Sequence, residues 1–220
     1  MATTKVTLPE TVDLIHAWRA GVPLGRSLLV AVSGIDGSGK GFVSARLAEH
    51  CRGLGHRTAV INIDGWLRLP AERFRDTDPG GHFYRHAIRF DAMFSQLVLP
   101  LRDQRSIAVE SDFAEETASS YRRERWEFDD IDVILLEGIY LLKSEFREHY
   151  DGSIWVECTF ETALERAIAR GQEGLEEKAT IDAYRTIYFP AQERHFRLDH
   201  PKDHANALLL NDERLGDSVE

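Results

Sequence analysis

An apolar run of strand length, Leu28-Leu29-Val30-Ala31-Val32, passes through Ser33 straight into Gly34-Ile35-Asp36-Gly37-Ser38-Gly39-Lys40, and a helical pattern follows. Strand, glycine-rich loop and helix in immediate succession are the context in which Gly-x-x-x-x-Gly-Lys forms a phosphate-binding loop. Glycine lets the backbone turn tightly and approach an anion without a Cβ in the way. The loop N–H groups and the start of the next helix then aim partial positive charge at the phosphates. Lys40 adds the full charge that reaches the outer phosphates of a nucleotide. Residues 34–42, from Gly34 through Ile35, Asp36, Gly37, Ser38, Gly39, Lys40 and Gly41 to Phe42, are the expected nucleotide-binding set.

One position departs from the motif. Ser or Thr ordinarily follows the lysine and offers its hydroxyl to Mg²⁺. Here Gly41 and then Phe42 stand there, and the next hydroxyl is Ser44. Magnesium must then be held by the nucleotide, by water and by carboxylates from elsewhere in the chain.

The chain of 220 residues predicts a single α/β domain able to bury a sizeable core. A net charge of −10 argues against nucleic-acid or anionic-membrane partners, which need clustered Lys and Arg. An anionic nucleotide is still accommodated, because the loop sets its own local field. Cys51 and Cys158 have no metal-ligand spacing and read as reduced, buried apolar residues. The N-terminus carries no targeting signature and no run reaches membrane-spanning length, so the sequence reads as cytoplasmic. A homo-oligomer is compatible with it.

Strands alternating with helices predict a doubly wound, five-stranded parallel sheet with helices on both faces. An N-terminal helix is expected over 8–20, with Val12, Ile15 and Trp18 at helical spacing. The second strand, Thr58 to Ile63, ends on Asp64, and a near-continuous apolar strand, Ile131 to Leu136, ends on Glu137. In an open parallel sheet ligands sit beyond the carboxyl ends of the strands. Both acids are therefore aimed at the rim that carries the loop, although for Asp64 a plain Asx turn or N-cap explains the residue equally well. Residues 69–91 mix Pro, Gly, Arg and aromatics with little periodicity and read as a substrate-contacting loop or a pair of short helices, with Arg75, His82 and Tyr84 as candidate contacts. The alternative is a solvated surface with Phe74, Phe83 and Tyr84 turned inward. A helix is expected over 92–102, its last turn limited by Pro100. Two short strands within 107–128 suggest a hairpin flap, and a helix over 161–170 opens a lid reaching 176. Arg166 and Arg170 on it are one turn apart, suited to gripping a phosphate or to pairing with Glu161, Glu165 or Glu173. Helical character resumes from Leu175 to Arg197, interrupted by Pro190.

Taken in order, these residues resemble the uridine kinase and phosphoribulokinase-like branch of P-loop small-molecule kinases over roughly residues 27–212. The resemblance is carried by Gly34 to Lys40, Asn62-Ile63-Asp64-Gly65-Trp66, Phe90-Asp91 and Glu110-Ser111-Asp112-Phe113. It continues through Val133 to Gly138, the arginine-bearing helix, Tyr188-Phe189-Pro190-Ala191, and His200-Pro201 before Ala205-Asn206. It implies ATP-dependent phosphorylation of a hydroxyl on a small metabolite, a nucleoside by default, with Mg²⁺. It also implies Asp64 as general base, Lys40, Arg166 and Arg170 around the transferring phosphoryl group, Glu137 with Asp64 at the metal, and Asp112 at the substrate. Ser111 replaces a Tyr of the family pattern, Asn206 an Asp, and Gly41 the metal-binding hydroxyl, which marks a divergent member. Other hydroxyl acceptors (pantothenate, a sugar, glycerate) stay open. So does a nucleoside-monophosphate kinase, prompted by the adenylate-kinase-like Gly41, with Arg73, Arg75 and Arg89 as its only clustered second phosphate set. A nucleotide-binding regulator without transferase activity is the reading from another class.

Overall fold

The chain, seen as a computed structural model, is described for residues 4–171 and 176–216. Eight strands occur among the described residues: β1 (Thr4–Val6), β2 (Leu28–Gly34), β3 (Thr58–Asn62), β4 (Ile107–Phe113), β5 (Arg122–Phe128), β6 (Val133–Gly138), β7 (Gly152–Glu157) and β8 (Ala207–Leu210). Six form a parallel sheet in the order β1-β8-β7-β2-β6-β3, and β4 with β5 makes a separate antiparallel hairpin. The sheet thus has six strands where the sequence predicts five. The extra one is three residues long and pairs only with β8, too short to leave a hydrophobic pattern.

The residues of β2 and β6 are buried throughout, which is why both read as unbroken apolar runs rather than alternating ones. Their side chains divide between two cores. Leu28, Val30, Val32, Val133 and Leu135 pack against helices α1 (Leu8–Gly21) and α2 (Lys40–Gly53), while Leu29, Ala31, Ile134 and Leu136 face the aromatic-rich layer on the other side. No described helix is long and apolar enough to cross a membrane.

Two prolines behave differently from expectation, since neither Pro100 nor Pro190 ends its helix. Each is the second residue of an α-helical segment that directly follows a π-helical turn. Leu99–Gln104 follows Phe94–Val98, and Phe189–Asp199 follows Tyr184–Tyr188. A proline supplies no N–H and its ring crowds the carbonyl one turn back, and the wider π turn relieves both. The first helical stretch therefore runs on from Phe90 to Gln104, and the second continues past Pro190 to Asp199. The 69–91 segment resolves into two short helices, Pro70–Arg73 and Pro79–His86. Of the expected lid, the helix is Phe160–Arg170, while residues 172–175, with Glu173, Gly174 and Leu175, lie outside the described residues.

Candidate active site

Beyond β2 the chain makes the turn its glycines permit. Gly37 and Gly39 have φ of +77° and +83°, and a Cβ on Gly39 would overlap the Asn211 side-chain amide. The Asn211 Nδ2 donates to the Ser38 carbonyl at 2.8 Å, so the end of β8 pins the loop from outside. Arg166 adds a second pin, donating to the carbonyls of Ser38 (3.2 Å) and Asn211 (2.9 Å). Lys40 is buried, and its Nζ donates to the Ile35 carbonyl at 3.2 Å. Asp36 accepts the Tyr184 hydroxyl and lies 3.7 Å from Arg170, which draws the Phe160–Arg170 helix and the Tyr184 turn onto the loop.

A cleft of about 330 Å³ opens above this loop, and Lys40, Asp64, Glu137, Arg166 and Arg170 all line it. Their convergence follows from strand order. Strand β6 lies between β2 and β3, with Glu137 paired in register to Val32 on one side and Asn62 on the other. Asp64 follows β3 by two residues, and its backbone N–H is held by the Asn62 side chain at 2.6 Å. Glu137 is 5% exposed, and burial pushes its carboxyl up to about 6, with Lys40 pulling down and Asp64 and Asp36 pushing further up. Asp64 is open to the cleft but hemmed in by protein. That crowding raises its carboxyl too, against the pull of Lys40 and with a push from Asp36.

No cluster of three or more His, Cys, Asp or Glu able to hold a metal occurs among the described residues. Two carboxylates beside a phosphate cradle instead suit a cation held mostly by nucleotide phosphates and water, the usual habit of Mg²⁺.

No family model matches the chain. The uridine kinase of Staphylococcus epidermidis is 24% identical over 195 residues, spanning 84% of this chain and 88% of that one. The uridine kinase of Lactococcus lactis is 29% identical over 175 residues, spanning 76% and 78%. The solved structure of a possible uridine kinase from Bacillus stearothermophilus superimposes with a TM-score of 0.70 at 17% identity, covering 92% of this chain and 98% of that one. The chain is a small-molecule kinase, similar in sequence to these uridine kinases over most of its length and in fold to that solved structure.

The remaining expected contacts do not reach the cleft. Asp112 sits on the outer face of the hairpin, bonded to Arg123 at 3.0 Å, because strand alternation turns Ser111 inward and its neighbour outward. Tyr84 is buried behind the site, its hydroxyl donating to Asp199. His82 and Arg75 border a separate shallow surface depression, and His82 Nε2 meets the Glu72 carbonyl at 2.8 Å. Phe42 is 52% exposed on the outside of α2, beneath Arg46. Gly34 and Ile35 support the loop without lining the cleft, whereas Asp36, Gly37, Gly39 and Gly41 line it. Asn211, Tyr184, Tyr140 and Gln192 were missed from the sequence. Asn211 carried a usable signal, since it follows the last strand at the ligand-binding rim.

Proposed function

We propose that this kinase transfers the γ-phosphoryl group of ATP to a hydroxyl of a neutral nucleoside, with uridine or cytidine as the first acceptors to test. The observation that carries the reading is the shared cleft, in which Asp64 and Glu137 face Lys40 across the loop. Lys40, Arg166 and Arg170 spread over the transferring group and offset charge that develops on it. Asp64 orients the acceptor hydroxyl and takes its proton. Glu137, with Asp64, would hold Mg²⁺, which when bound neutralises phosphate charge. Phosphoryl transfer asks mainly for positioning and charge stabilisation, so no covalent residue is required.

A monophosphate acceptor fits less well. Of the three arginines only Arg73 lines the cleft, where it donates to the carbonyls of Arg68 and Glu116; Arg89 is held by the carbonyls of Leu67 and Asp112, and Arg75 borders a different depression. They do not converge on a second phosphate. The test is ADP release across nucleosides, sugars, pantothenate, glycerate and nucleoside monophosphates. Release with a neutral nucleoside supports the proposal, release only with a monophosphate overturns it, and ATP binding without release indicates a regulator.

A further inference from the structure

The wall of the cleft holds buried polar atoms that no group among the described residues satisfies. Gln192 is 2% exposed and both its amide oxygen and nitrogen lack a hydrogen-bond partner among the described residues. Tyr140 is 1% exposed and its hydroxyl is likewise unpartnered. Both line the cleft, beside Phe83 and Tyr188, whose rings meet edge-on at 5.1 Å. Buried polar atoms left unpaired cost about 1–3 kcal/mol each, so their presence in a core-like wall calls for a partner that comes and goes. Tyr140 is also held at φ 59°, a left-handed conformation that bulky residues seldom adopt. It lies two residues beyond β6, and its ring stands edge-on against His195 at 5.4 Å. The phenol is thus fixed from behind while its hydroxyl stays free.

The chemistry of these groups selects a ligand. An amide offers a donor and an acceptor side by side, and neither Gln192 nor Tyr140 carries charge. The flanking Phe83 and Tyr188 favour a flat, apolar-faced group. We infer that Gln192 and Tyr140 read the non-reacting end of the acceptor, a neutral planar ring with a donor beside an acceptor, as on the edge of a pyrimidine base. This rests on the proposed acceptor kinase and adds the residues that choose its substrate.

The experiment follows the Gln192 side-chain amide by nitrogen-15 NMR, its signal assigned by disappearance in Gln192→Leu, during titration with uridine, cytidine and ribose. Kinetics of Gln192→Leu and Tyr140→Phe run alongside. The expected result is a shifted amide with a nucleoside but not with ribose. Both variants should raise KM for the nucleoside roughly 10- to 100-fold and leave KM for ATP unchanged. Neither should lower Tm, because each removes an unsatisfied polar group at nearly constant shape. An amide unmoved by saturating nucleoside overturns the inference, as does an unchanged nucleoside KM in both variants while the wild type turns over. A shifted amide without any phosphoryl transfer leaves the subsite standing and removes the kinase reading instead.

Discussion

Gly41→Ser should tighten Mg²⁺-dependent ATP binding, and the structure sets how much. Gly41 is the second residue of α2, and a Cβ placed there would come within 3.7 Å of Glu137 Oε1, an ordinary contact with nothing nearer. A serine hydroxyl, one bond further out, reaches the carboxylate and the space in front of it. A hydrogen bond to a charged group contributes about 1.5 kcal/mol, which corresponds to about a tenfold change in affinity. Replacing glycine within a helix adds about 0.5–1 kcal/mol of stability by itself. For a chain of this size that is a rise of about 2 °C in Tm.

Gly41→Ala separates the two effects, since it supplies the backbone gain without the hydroxyl. Calorimetric titration of ATP at stepped Mg²⁺ concentrations, with thermal melts of both variants, makes the comparison. Both should melt higher than the wild type, and only Gly41→Ser should need about tenfold less Mg²⁺ for the same ATP affinity. If the two variants bind identically at every Mg²⁺ concentration, Glu137 does not face the cation and the metal assignment is wrong.

Lys40→Met should weaken ATP binding and turnover together, and push the Glu137 carboxyl above about 6 because its largest favourable charge is gone; ATP calorimetry and pH titration check both. Asp64→Asn should leave ATP affinity measured without Mg²⁺ unchanged and lower kcat by roughly 10²- to 10⁴-fold, and undiminished turnover would strip Asp64 of the base role. Turnover should fall as pH drops below about 6, where Glu137 takes up a proton. The stability sign runs the other way. A carboxyl whose folded value is raised favours the native state at low pH, and that contribution is lost as pH rises from the ordinary glutamate value to about 6. Glu137→Gln should therefore be more stable than the wild type at pH ~7.5, by about 2 kcal/mol in denaturant melts, while losing Mg²⁺-dependent ATP affinity.

The parts of the site legible in the sequence are those fixed by local order along the chain. A strand, a glycine turn and a helix define the loop wherever they occur, and an acid at a strand tip faces the same rim because all strands of the main sheet run parallel. Lys40, Asp64 and Glu137 followed from that geometry. Asp112 failed because a one-residue step along a strand reverses the face, and nothing local sets the phase of a short hairpin. Tyr84 failed because its hydroxyl is claimed by Asp199, 115 positions away, a pairing no local pattern encodes. Gln192 and Tyr140 were invisible for a related reason. Each sits among apolar residues at a spacing that reads as core, and only the folded packing reveals that their polar atoms meet a cavity instead of a partner. The lysine and acids of the candidate site are thus placed by neighbouring residues at strand ends, whereas the proposed acceptor contacts arise only from tertiary juxtaposition. That division explains why the loop and the acids that share its cleft are legible in the chain while Gln192 and Tyr140 are not.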